Sequence, residues 1–307
     1  MGLEQRWLAG WALAGASALI LTLGVPAPDA SLHAGDAAPA IAAADEPAPL
    51  AAEFAREVVP QLHPPPAALA DYAQRLEQAL RDAQALPAQP EFVVLVDRSP
   101  AVQALMIWWG GDGTPWRLTG AAAVSTGWPG RFEHFATPTG LFVHTLANPD
   151  FRAEGTKNDL GIRGYGRKGA RVFDFGWVGG AKGWGDHGTG QLRLQLHATD
   201  PDLLEQRLGS AQSKGCIRTT ASLNEFLDRH AILDGDYDRA LAAGRSFWVL
   251  RKDRAPTAWS GRLLLVVDSQ AAARPDWAPW PTRAGRRAPA AAPPASAASV
   301  GVQGSVK

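Results

Sequence analysis

Between Phe92 and Val267 the chain is cut into short apolar or alternating runs by glycine, proline, asparagine and aspartate. Such runs are too short for stable helices and long enough for strands, whose side chains alternate between two faces. Phe92–Val96, Ala104–Trp109, Trp116–Ser125, Leu141–Thr145, Arg171–Val178, Gln191–His197, Phe247–Arg251 and Leu263–Val267 are the predicted strands. Asp97-Arg98-Ser99-Pro100 stops the first, and Gly110-Gly111-Asp112-Gly113 turns the second. The series predicts a mainly β fold, a sandwich or partly open barrel. Within it one helix is predicted, from about Ala221 to Leu233, with Thr219, Thr220 or Ser222 available as its cap.

The flanks read differently. Trp7–Val25 is an uninterrupted apolar run after Arg6, with small residues at Ala27, Ala30 and Ala34, so residues 1–30 are expected to be a signal peptide or signal anchor. An apolar run of this length also suits a retained anchor. Residues 31–50 form an Ala/Pro linker, and residues 51–90 a short helical segment. In that segment Leu69, Tyr72, Ala73, Leu76, Leu80 and Ala83 share one face, a stripe too narrow to fold without packing on the domain that follows. Residues 91–268 are the expected catalytic domain. Residues 269–307, rich in Ala and Pro with Arg283, Arg286, Arg287 and Lys307, are an expected disordered tail. The expected location is the periplasm or cell envelope after export, with membrane contact only through residues 7–25 if they stay attached.

Lys+Arg and Asp+Glu each number 30, and this balance argues against a nucleic-acid binder. Cys216 is the only cysteine, so no intramolecular disulfide forms. It stands in Ser213-Lys214-Gly215-Cys216-Ile217-Arg218, with fifteen residues between Ser213 and His197. A thiol becomes a nucleophile as its thiolate, so a nearby imidazole is needed to take the proton. Glycine beside it admits a substrate carbonyl, and the Gly215 and Cys216 N–H groups are candidates for an oxyanion hole. In Gln191-Leu-Arg-Leu-Gln-Leu-His197 the leucines share one face, which leaves His197 on the polar face at a strand end. His187, in the glycine-dense Asp186-His187-Gly188-Thr189-Gly190, is the rival base; a strand end holds a base better than a glycine loop, and His187 is expected instead to line a substrate groove or cap a turn. His63, His134, His144 and His230 have no suggestive partners and are expected to be structural. With one Cys and scattered His there is no expected metal site and no cofactor.

These residues resemble the YkuD-type L,D-transpeptidases, which act on cell-wall peptidoglycan. The resemblance rests on His197-Ala-Thr-Asp-Pro, the fifteen-residue gap and Ser213-Lys-Gly-Cys-Ile-Arg218. Upstream, Phe92-Val-Val-Leu-Val-Asp-Arg-Ser-Pro, Val124-Ser-Thr-Gly127 and Thr137-Pro-Thr-Gly-Leu-Phe142 look like further landmarks of that family, which together span residues 91–252. The resemblance implies Cys216 as nucleophile, His197 as general base, Gly215 at the oxyanion hole, Ser213 shaping the turn, and Arg218 holding the loop or binding a stem-peptide carboxylate. Lys214 stands where the family carries a second histidine, and its charge is expected to favour the thiolate; Ala198 replaces a common glycine. Residues 155–185, with Trp177 and Trp184, form a Gly-rich insertion expected to be a lid or groove wall. The implied reaction transfers the acyl group of a stem tetrapeptide, through a thioester and with release of D-Ala, to an amine on a second stem or on a wall-anchored protein. With water as acceptor the same site is an L,D-carboxypeptidase or a hydrolase releasing wall-bound protein. A disabled wall-binding protein is the non-enzymatic alternative. A sortase-like transpeptidase shares the His-before-Cys order but has a longer separation and a different Cys context.

Overall fold

The computed structural model describes residues 48–281 apart from Pro129 and Trp280. The expected signal segment, residues 31–47 of the linker and the tail beyond residue 281 lie outside the described residues. Two helices, α1 (Ala48–Glu57) and α2 (Pro66–Asp82), precede the strands β1 (Glu91–Asp97), β2 (Ala104–Gly111), β3 (Thr114–Ala123), β4 (Gly140–Val143), β5 (Phe151–Arg152), β6 (Arg171–Ala181), β7 (Thr189–Ala198) and β8 (Ile217–Thr219). Helices α3 (Ala221–Arg229) and α4 (Gly235–Ala242) and strand β9 (Leu263–Val267) follow. Among the described residues no helix is long and apolar enough to cross a membrane.

The fold is mainly β, with two mixed sheets. One has the order β3-β2-β1-β9-β4 and the other β5-β6-β7-β8. The pairs β1–β9 and β7–β8 are parallel. Alternation along the strands makes the layers. Phe92, Val94 and Val96 of β1, with Leu105, Ile107 and Trp109 of β2, face Phe173, Phe175, Leu194, Leu196 and Ile217 of the second sheet. Val93, Leu95, Met106, Trp108, Leu263 and Leu265 point the other way, onto Tyr72, Leu76 and Leu80 of α2. This explains why β1 reads as a continuous apolar run: it is covered on both faces. Each such side chain contributes roughly 1.5–3 kcal/mol on burial. Helix α1 docks Phe54 onto the bare backbone of Gly120, where a Cβ would lie 2.2 Å from its ring, and edge-on to Phe226 at 5.1 Å.

Around Arg171, the first residue of β6, lies a buried ion cluster. The Arg171 guanidinium donates to Asp150 at 2.7 Å and to Asp234 at 2.7 and 2.9 Å, and lies over the rings of Phe173 and Tyr237. His144 Nδ1 meets the Leu233 carbonyl and Nε2 meets Asp150, both at 2.8 Å. Both partners only accept, so both ring nitrogens carry protons and the imidazole is cationic. Burial opposes that charge, yet the Asp150 carboxylate outweighs it and raises the pKa of His144.

Three expectations are corrected. Phe247–Arg251 is not a strand. Its backbone is held by side chains, with the Val249 carbonyl bonded by Arg152 and Arg251 tied to Glu225 and Asp253, and Trp248 is 76% exposed. The single helix expected after Cys216 ends at Arg229, because Ala231 adopts a left-handed backbone (φ 57°), and a second helix, α4, follows. Of the lid or groove wall expected for residues 155–185, a single lid is not what forms: the segment is a loop, the strand β6 and the turn into β7.

Candidate active site

Strand β8 determines where the thiol goes. Its three residues pair in parallel with β7: Leu196 with Ile217, His197 with Arg218, Ala198 with Thr219. Ile217 enters the core, so Cys216 and Arg218 lie on the opposite face, the one that carries Arg193, Gln195 and His197. Cys216 thus stands level with Gln195, one strand over and two residues back from His197, about 8 Å between Cα atoms from strand spacing and rise. Among the described residues no hydrogen bond joins the thiol to the His197 ring. The thiol is partly exposed, and its Sγ lies 3.7 Å from the Arg193 carbonyl.

The loop before Cys216 is locked from several sides. Ser213 N–H donates to the Thr126 carbonyl (2.9 Å), Trp128 N–H to the Ser213 carbonyl (3.0 Å) and Phe135 N–H to the Lys214 carbonyl (3.2 Å). Thr137 Oγ1 donates to the Gly215 carbonyl (2.7 Å) and accepts from Gly127 N–H (2.8 Å). Two of the upstream landmarks therefore converge on the nucleophile loop. Ser213 Oγ accepts from Gly215 N–H at 3.0 Å and donates to the Cys216 carbonyl at 2.5 Å, closing the turn. Gly215 has φ +135°, and a Cβ there would lie 2.6 Å from Leu192 Cδ1, so the position needs glycine.

His197 is 3% exposed. Its Nδ1 lies 2.8 Å from the Ala198 carbonyl. A carbonyl only accepts, so Nδ1 carries the proton and Nε2 of the neutral ring is free to take one. Burial, with a smaller contribution from the Arg218 charge, holds the imidazole down to about 4. Burial also pushes the Cys216 thiol above its ordinary value. The resting pair is a neutral thiol and a neutral imidazole.

Lys214 does not act as expected on the thiolate. Its Nζ pairs with Glu133 at 2.8 Å in the open, and the cation acting on Cys216 is Arg218. Arg218 is largely buried; its Nε meets no acceptor among the described residues, and burial lowers its pKa. His187 sits exposed at the tip of the β6–β7 hairpin, beyond Thr189, roughly 20 Å along the strand from the level of Gln195. The structure does not bring it to the thiol. Trp184 packs between Phe132 and Phe135, with ring centroids at 6.3 and 4.8 Å.

Four site residues escaped the sequence reading. Tyr165, from the loop before β6, lies edge-on to His197 at 4.7 Å and donates its hydroxyl to Gln195 Oε1 at 3.1 Å. Gln195 Nε2 in turn donates to Asp174 at 2.8 Å, as does Arg193 Nε at 2.7 Å. Asp174 N–H donates to Asp150, linking this network to the ion cluster. Gln195 and Arg193 were legible as the polar partners of His197 at period two, and Asp174 as the lone charge in an apolar run. Nothing in the glycine-rich stretch around Tyr165 marks it. Among the described residues no three His, Cys, Asp or Glu side chains converge as a metal site.

No family model matches the chain. No curated protein matches it. A solved structure to which it is similar is a mutant of the helical cell shape determining protein Pgp2 from Campylobacter jejuni, at 15% identity and a TM-score of 0.27. The match covers 59% of this chain and 48% of that one, so the chain spans about half the length of that protein. A TM-score this low does not establish a shared fold.

Proposed function

We propose that the protein is a cysteine acyltransferase of the L,D-transpeptidase type, acting on peptidoglycan stem peptides in the cell envelope. The observation that carries this reading is the β7–β8 register, which sets a thiol, a neutral imidazole and a guanidinium with an unsatisfied Nε on one face. His197 Nε2 takes the Cys216 proton as sulfur attacks the carbonyl of the third stem residue. Gly215 N–H is already bonded to Ser213, so within this loop the Cys216 N–H is left to bind the oxyanion. Collapse breaks the peptide bond; the terminal D-Ala leaves with the proton returned by His197, and a thioester remains. An amine of a second stem, or a lysine of a wall-anchored protein, then attacks the thioester, His197 takes its proton, and the thiol is restored. Arg218 holds a carboxylate of the stem through charge-assisted bonds.

Intact-protein mass spectrometry of the full chain mixed with disaccharide-tetrapeptide, beside Cys216→Ala, tests this. A thioester adduct or cross-linked dimer, absent in the variant, is expected. Tripeptide alone, still dependent on Cys216, assigns the carboxypeptidase reaction instead. No Cys216-dependent product with stem or lysine acceptors refutes the enzyme and favours a wall-binding protein.

A further inference from the structure

On β6 the core side chains run Phe173, Phe175 and then Val178, not Trp177. The phase changes because a bulge between Asp174 and Trp177 sets the extra residue of β6 against β7. Gly176 makes the bulge possible: its φ is +84°, and a Cβ there would lie 2.7 Å from Asn148 Nδ2. As a result Trp177, which simple alternation would bury, stands 67% exposed, paired in register with Arg193 on the face that holds Cys216. The Arg193 side chain is 40% exposed, and among the described residues its one side-chain hydrogen bond runs from Nε to Asp174, with none from its two amino groups. Toward His197 the same face is covered by Tyr165, so the open half of the face begins at Cys216 and runs over Arg193 to Trp177.

We propose that Trp177 and Arg193 form a saccharide subsite, taking the pyranose ring that carries the stem peptide. This rests on the acyl-transfer reading above and names a second point at which the substrate is held. An exposed indole presents a flat apolar face to the C–H face of a sugar ring, and the guanidinium beside it donates to hydroxyl or carboxylate oxygens. The spacing fits. Trp177 lies two strands across and two residues along from Cys216, about 12 Å between Cα atoms. A stem attacked at its third residue carries its sugar about three extended residues away, roughly 10 Å.

The test is calorimetric titration of the full chain carrying Cys216→Ala, which removes turnover, with disaccharide-tetrapeptide, free tetrapeptide and the disaccharide alone. The disaccharide-tetrapeptide is expected to bind about tenfold more tightly than the tetrapeptide. Adding Trp177→Ala is expected to abolish that difference, while Trp177→Phe, which keeps a ring, retains most of it. A preference unchanged by Trp177→Ala overturns the proposal, and so does the absence of any preference or binding in the Cys216→Ala parent. Saccharide binding that depends on Trp177, in a protein showing no Cys216-dependent turnover, supports the subsite and refutes only the reaction.

Discussion

A buried histidine held neutral makes stability fall as the pH is lowered, in a way that can be assigned to it. His197 is kept at about 4 in the fold, mainly by burial, against an ordinary value near 6.5. Between these values the unfolded chain binds a proton that the folded chain refuses, so stability rises with pH in this window and falls as pH is lowered through it. The difference amounts to about 3 kcal/mol between pH 7 and pH 4. His197→Asn is the informative perturbation, because the amide can donate to the Ala198 carbonyl as Nδ1 does but does not titrate. His144 and the carboxylates also titrate, but they are common to both proteins and cancel in the comparison. Thermal unfolding at pH 7 and pH 4 is expected to show wild type losing roughly 6–12 °C more than His197→Asn. Parallel losses in the two proteins would refute the claim that His197 is buried and neutral. On the proposed acyl-transfer reaction with His197 as base, kcat/KM is expected to stay level below pH 6 and fall only near pH 4.

Burial is the main cause of that low value, so uncovering the ring should undo it. Tyr165→Ala is expected to move the acid limb of kcat/KM up toward 6.5, whereas Tyr165→Phe keeps the ring against His197 and leaves the limb near 4. Gly215→Ala forces a side chain into φ +135° against Leu192 and should cost about 1–3 kcal/mol by urea denaturation, with loss of Cys216-dependent turnover; an unchanged midpoint refutes the strained turn. Arg171→Met leaves Asp150 and Asp234 with only His144 and Arg254 to face them, and is expected to destabilise by about 3–5 kcal/mol at neutral pH. Asp150 is held below its ordinary value: burial opposes its charge, but His144 and Arg171 prevail. Its contribution is therefore present above about pH 4 and fades as the carboxyl protonates. Calorimetry of Arg171→Met should accordingly show a deficit that narrows at low pH.

Seven of the eight predicted strands are present, because period two is imposed locally: each apolar or alternating run must bury one face or both, whatever its neighbours do. The helical stripe on Leu76 and Leu80 was legible for the same reason, as were the residue types of the Cys216 loop, where glycine and a small hydroxyl meet local backbone demands. Partners distant in sequence were not legible. Phe247–Arg251 has the composition of a strand, but Arg152 and Glu225 hold it by side-chain bonds. Strand β8 has three residues, too few to show a period, yet its parallel pairing places Cys216 and Arg218 on the face of His197. Lys214 offered a charge in sequence, and Glu133, 81 residues away, neutralises it. Tyr165 and the bulge that turns Trp177 outward arise only when the loop and β6 pack against β7. Which segments become strands, where the thiol's turn carries glycine, and which histidine stands at a strand end are all written in local residue pattern. Which side chains surround that histidine, and how far its charge is suppressed, follow from packing in three dimensions, because burial and pairing are properties of segments brought together from across the chain.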